Sequence, residues 1–131
     1  MISDTYYENK SLIKELLLKL YDLPNTVIIL GGGNLQGGDP YIKEVALALE
    51  YRYVEYNPWH TEHNQFSRYP QFRYKKTFKT GNFSTRYKDL LLECDKLIIF
   101  TKYEKTDPFI AQIIKKIQKG DFTKPSVITN G

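Results

Sequence analysis

The chain has 131 residues, 41% of them hydrophobic and 26% charged, and a net charge of +4 at pH 7. That size fits one domain, residues 1–131, with a core of its own, and the composition is that of an ordinary soluble globular protein. No apolar run nears the ~20 residues of a membrane helix, the start lacks the apolar stretch of a signal peptide, and the single cysteine excludes an intrachain disulfide or a thiolate zinc cluster, so a cytoplasmic setting is expected.

Leu12, Ile13, Leu16, Leu17 and Leu20 recur at helical spacing and Pro24 closes the segment, which predicts an amphipathic helix over residues 11–22. Val27-Ile28-Ile29-Leu30 is the first expected strand. The next expected helix has Asp39 as N-cap, Pro40 at its first position, and Ile42, Val45, Ala46 and Leu49 as its apolar stripe. Residues 51–56 alternate as a second strand. From 57 to 83 the pattern breaks around Pro58, Pro70 and Gly81, and a loop of that length is usually functional. Ser84 or Thr85 caps a third helix with the stripe Tyr87, Leu90, Leu91 and Cys94. Residues 97–100 form a strand apolar enough for burial on both faces. Asp107-Pro108 repeats the helix start ahead of Ile110, Ile113, Ile114 and Ile117, and residues 127–129 close the chain with a fourth strand.

Strands alternating with helices predict an α/β fold, a parallel sheet of about four strands in the order 2-1-3-4 with helices on both faces. Ligands of such sheets bind at the carboxyl ends of the strands beside the switch point. Three segments meet there: residues 31–39, residues 84–86 and residues 101–107.

The first of these is Gly31-Gly32-Gly33-Asn34-Leu35-Gln36-Gly37-Gly38-Asp39, directly after a buried strand. Glycines admit positive φ and close approach to a ligand, and the following helix turns its N–H groups and positive dipole end toward an anion. The loop lacks the Gly-Lys-Ser/Thr ending of a phosphate-binding P-loop, and Gln36 stands where a dinucleotide fingerprint needs its third glycine. A turn without a ligand is the plainer reading. Arg86, with Ser84 and Thr85, is placed for a charge-assisted contact to a phosphate, or else is a solvated arginine. Glu55 ends the second strand, followed by Asn57 and Trp59; its carboxylate could bind ribose hydroxyls or attack an anomeric carbon, or simply face outward. Asp39 contacts the ligand or caps its helix. His60 and His63 have no identifiable third metal ligand, and no metal or cofactor is expected. Cys94 reads as a core residue.

Between Tyr51 and Tyr87 lie seven basic residues, two acids and eleven of the nineteen aromatics, a local charge of +5. Basic residues interleaved with rings suit phosphates and bases, or a loop folded over the core with its charges in water. Acids elsewhere in the chain favour a small ligand over nucleic acid.

The strand–glycine loop–Gly-Gly-Asp order, Ala46, Asn57-Pro58-Trp59, Arg86 and Cys94-Asp95-Lys96-Leu97-Ile98-Ile99-Phe100 together resemble the SLOG superfamily over about residues 26–130. Those domains are Rossmann-like three-layer sandwiches and include LOG-type phosphoribohydrolases, DprA-type DNA-processing proteins, small YspA-like proteins and sensors of bacterial NAD-depleting defence systems. The resemblance implies a nucleotide-derived ligand, such as an ADP-ribose or cyclic nucleotide signal, held by Gly31, Gly32, Gly33, Asn34, Gly37, Gly38, Asp39, Asn57, Trp59, Ser84, Thr85, Arg86 and Thr101. It also implies a homo-oligomer acting as sensor or sequestering protein, with phage anti-defence as a special case. The LOG motif Pro-Gly-Gly-x-Gly-Thr-x-x-Glu is absent: Thr101-Lys102-Tyr103-Glu104 follows the third strand. N-glycosidic hydrolysis or transfer, with Glu55 or Asp39 as its carboxylate, is the alternative, and nucleic-acid binding the third expectation.

Overall fold

The computed structural model describes residues 1–21, 27–60, 65–69, 78–79, 83–102 and 106–130. In chain order its elements are β1 (Ile2–Ser3), α1 (Lys10–Tyr21), β2 (Ile28–Gly31), α2 (Asp39–Ala48), β3 (Arg52–Glu55), β4 (Trp59–His60), β5 (Phe78–Lys79), α3 (Phe83–Glu93), β6 (Leu97–Thr101), α4 (Pro108–Gln118) and β7 (Ser126–Asn130). The helices form where the apolar stripes lie. α1 buries Ile13 and Leu17, α2 buries Ile42, Val45 and Ala46, and α4 buries Ile110, Ile113 and Ile114. Each of the isoleucine, leucine and valine side chains contributes about 1.5–3 kcal/mol on full burial. Among the described residues no helix is long and apolar enough to cross a membrane.

The fold is α/β with parallel ladders, and its strand order departs from 2-1-3-4. The expected first and second strands pair as β2 with β3, from Ile28↔Arg52 to Gly31↔Glu55. The expected third and fourth pair as β6 with β7, from Leu97↔Ser126 to Thr101↔Asn130. The pairing expected between those two halves is replaced. β1, unforeseen in the sequence, pairs in parallel with β6 through Ile2↔Ile99 and Ser3↔Phe100. It meets β2 through one bond, the Met1 ammonium donating to Leu30 O at 2.7 Å. The result is a three-stranded sheet β1-β6-β7 and a two-stranded sheet β2-β3. Within the expected long loop, β4 and β5 form an antiparallel pair, and Ser67 bridges to Glu55 of β3.

Alternate strand residues supply two separate cores. Ile29, Tyr53, Ile98 and Phe100 pack with side chains of α1 and α2. Ile2, Leu97 and Ile99 pack with α3 and α4, joined by half-buried Leu30 and Val54. The period-2 side-chain direction of a strand makes this division.

The two Asp-Pro helix starts behave differently. Asp107 is a true N-cap: its Oδ1 accepts from Ile110 N at 3.0 Å, and its Oδ2 accepts from Thr5 N at 3.2 Å. Asp39 is not the cap of α2. Gly38 holds that position without a side-chain bond, and the Asp39 carboxylate turns inward. The third helix likewise starts earlier than expected, at Phe83, leaving Ser84 and Thr85 exposed in its first turn. Asp107→Ala is expected to cost about 2 kcal/mol in urea unfolding, because a cap and an amide acceptor are lost together. Asp107→Asn keeps the cap through its one carbonyl oxygen but turns an NH2 donor toward Thr5 N, so it is expected to cost about 1 kcal/mol.

Candidate functional site at the carboxyl edge

The glycine loop leaves β2 and is pressed onto the rest of the protein. Gly31, Gly32, Gly33 and Gly38 are all buried. Gly33 has φ +73°, and a Cβ there would stand 2.7 Å from the Asn57 backbone. Gly37 has φ +75°, and its Cβ would stand 2.1 Å from the carbonyl oxygen of Asp4. At Gly32 the Tyr87 ring from α3 would lie 2.9 Å away, so α3 packs directly on the loop. The close approach expected of a ligand is made at these positions by the chain itself.

Asp39 ties the loop to β1. One carboxylate oxygen accepts from Ser3 N at 2.9 Å and the other from Asn34 N at 2.9 Å. Burial raises its pKa to about 7, while the Asn34 amide, the Met1 ammonium and the Ser3 amide hold the rise back and Glu55 adds to it. Asn34 also orders the loop, its Oδ1 accepting from Gln36 N at 3.1 Å and its Nδ2 donating to Thr5 Oγ1 at 3.2 Å.

Asp4 and Thr5, which the sequence did not mark, stand in the middle of the expected crevice. Asp4 is fully buried; its Oδ2 accepts from Thr101 Oγ1 at 2.7 Å and Lys102 N at 3.0 Å, and its Oδ1 accepts from Tyr6 N at 2.8 Å. The Thr101 hydroxyl also meets that of Thr106 at 3.0 Å. Because β1 runs parallel to β6, its carboxyl end delivers these residues to the same edge as the glycine loop and the α4 N-terminus. No pattern in Met1-Ile2-Ser3-Asp4 signals this; two strand residues are too few for a period.

Glu55, Asn57 and Arg86 are brought to this edge too. Glu55 is 7% exposed, its carboxylate 3.2 Å from Lys43 Nζ of α2, and its Cγ is among the atoms nearest the Cβ site of Gly33. Asn57 is buried against the same glycine. Arg86 is buried in the first turn of α3, its guanidinium 3.6 Å from the centre of the Tyr69 ring. Tyr69 in turn donates to Asp89 at 2.8 Å, and burial together with that bond pushes its pKa up to about 12. Trp59 and His60 lie on β4 with their side chains outside the described structure, and His63 lies outside the described residues. Among the described residues no group of three or more metal-binding side chains forms. Cys94 is buried, and that burial raises its thiol pKa, as fits a core residue. Of the basic window, Arg73, Lys75 and Lys76 fall outside the described residues, whereas exposed Arg68 pairs with Glu93 at 3.1 Å.

No family model, no curated protein and no solved structure matches this chain.

Proposed function

We propose that this is a SLOG-like, Rossmann-like three-layer domain that binds a nucleotide-derived small molecule of the ADP-ribose or cyclic nucleotide type, as a sensor or sequestering protein. The observation that supports this reading is Tyr87 of α3 packed on Gly32 of the loop at the carboxyl edge of parallel strands, with buried Arg86 its neighbour in the same helix. Such an edge is where α/β folds take ligands, and a guanidinium restrained over a ring loses less freedom on meeting a phosphate. The uncapped start of α2 supports an anion nearby. We extend the reading to a homo-oligomer, with exposed Leu18 on α1 as its apolar contact.

The second reading is an N-glycosidase. Glu55 favours it, as a buried carboxylate at a strand end with Lys43 as its counter-ion. Asp39 is the weaker candidate, since both its oxygens already accept backbone amides.

Mass spectrometry of the native protein after incubation with ADP-ribose, NAD, cyclic ADP-ribose isomers, AMP and cyclic oligonucleotides separates the readings. A compound retained natively and recovered unchanged after heating is the expected result. Arg86→Ala is then expected to weaken retention by about 10–100-fold, the worth of one charge-assisted contact. Accumulation of a base and a sugar phosphate overturns capture and makes Glu55→Gln the next variant. Retention of none of these compounds overturns both readings.

A further inference from the structure

α3 and α4 pack on Ile2, Leu97 and Ile99, and between the two helices runs a shallow surface groove. Phe109 of α4 lies against the Phe83 and Tyr87 rings of α3, with centroids 5.9 and 6.5 Å away, which holds the helices side by side. The groove has a volume of about 30 Å³ and is floored by Tyr87, Leu91, Phe109 and Ile113. That exceeds the ~10–15 Å³ of a water site, so it admits the tip of one apolar side chain. Its rim carries Lys88 on the α3 bank and Lys116 on the α4 bank, and no carboxylate lines it.

The one-sided charge has a cause in α3. Its two acids, Asp89 and Glu93, stand one turn apart on the flank away from α4. There Asp89 accepts from the Tyr69 hydroxyl at 2.8 Å, and Glu93 accepts from Arg68 at 3.1 Å and from the Tyr56 hydroxyl. α4 has no acid between Pro108 and Gln118. Among the described residues neither Lys88 nor Lys116 is in an ion pair, whereas Lys10, Lys43, Arg68 and Lys102 each are. Leu92 follows Lys88 by one turn and is 71% exposed, the most of any large apolar side chain among the described residues.

We propose that this groove docks an acidic amphipathic helix of a partner protein. Charge complementarity carries the choice. A helix laid along the groove sets its apolar stripe on the floor and on Leu92, and its carboxylates on the lysines of both banks. Length fits as well: the bank from Ser84 to Leu91 runs ~10 Å, about two turns of a docked helix. A second copy of this chain is the poorer occupant, because α1, with its exposed Leu18, carries three lysines against one acid. A nucleic-acid backbone has the charge but no apolar stripe for the floor.

The test is fluorescence anisotropy, the full chain being titrated into a labelled peptide of two Leu-Glu-Glu-Leu-Leu-Glu-Ala heptads at about 50 mM salt. Saturable binding with Kd below about 100 μM is expected. Lys88→Glu combined with Lys116→Glu is expected to weaken it about tenfold, since two rim attractions become repulsions. The same reversal at exposed Lys14 and Lys19 of α1 is expected to change it less than about twofold. No binding up to ~1 mM peptide overturns the proposal. Equal weakening by the two reversals overturns it too, as does equal binding of a peptide with serine at every leucine, because each reports charge attraction without the groove. Binding of phosphatidylserine vesicles or single-stranded DNA in place of the peptide assigns the face to another partner and overturns it, as does a dimer in sedimentation that Leu92→Ser dissolves. Ligand capture at the carboxyl edge enters none of these readings.

Discussion

Gly37→Ala is expected to destabilise the protein by about 2–5 kcal/mol, against about 1–2 kcal/mol for Gly120→Ala. The two glycines share a left-handed backbone, φ +75° and +80°. Any L-residue therefore meets the same intrinsic penalty at both, about 1–2 kcal/mol. Their surroundings differ. A Cβ at Gly120, which ends α4 where Asp121 N returns to Lys116 O, has nothing within 4 Å. A Cβ at Gly37 enters the carbonyl oxygen of Asp4 at 2.1 Å and the Thr5 backbone at 2.9 Å. Main chain cannot swing aside as a side chain does, so the loop must lift from β1, adding an overpacking cost of about 1–3 kcal/mol. In a domain of this size the difference corresponds to a melting temperature roughly 3–15 °C lower for Gly37→Ala than for Gly120→Ala. Urea unfolding of the two variants side by side is the measurement. Equal losses would mean that the loop is not pressed on Asp4 and Thr5.

Asp39 carries the second large effect, and its sign depends on pH. Its ordinary carboxyl pKa of 3.8 is raised to about 7, chiefly by burial. Between pH 4 and 6 the folded chain therefore holds a proton that the unfolded chain has released. Rising pH then favours the unfolded state, and the contribution of this group is present at low pH and lost as pH climbs toward 7. Asp39→Asn has the same shape and no proton to lose. The difference in unfolding free energy between variant and wild type is expected to move about 2 kcal/mol in favour of the variant from pH 4 to pH 6. Above pH 6 the slope is opposed by the Met1 ammonium, which burial brings down to about 6. Asp39→Ala has no proton to lose either and shares that pH dependence, but it leaves Ser3 N and Asn34 N without their acceptor and is expected to lie about 1–3 kcal/mol below Asp39→Asn at every pH. A pH series of urea midpoints for the three proteins decides the matter, and parallel curves for wild type and Asp39→Asn would refute the raised pKa.

Much of this architecture was legible where periodicity is strong. The isoleucine stripe of α4, the leucine stripe of α1 and the apolar run of β6 each announce one element and one buried face. The Asp-Pro pair was legible as a helix start but not as a cap. Asp107 caps because Ile110 N is the nearest donor, whereas Asp39 is claimed by Ser3 and Asn34, partners 36 and 5 residues away. What escaped the sequence is non-local. β1 is strand only because Ile99 and Phe100 wait beside it, and Asp4 is buried only because Thr101 and Lys102 bond to it. The candidate site shows the same division. Its glycines, Glu55 and Arg86 are visible in sequence, while the segment threading between them is not.

The insertion of β1 also sets an order of events. Ile2 and Ser3 leave the ribosome long before Ile99 and Phe100, by about 5–20 s at ordinary elongation rates. Throughout that interval β6, the ladder partner of the first strand, is missing, while β2, β3 and the first two helices are already outside the tunnel. Residues made well before their partners are thus among the last to find their place, and the seam they close lies between β2-β3 and β6-β7.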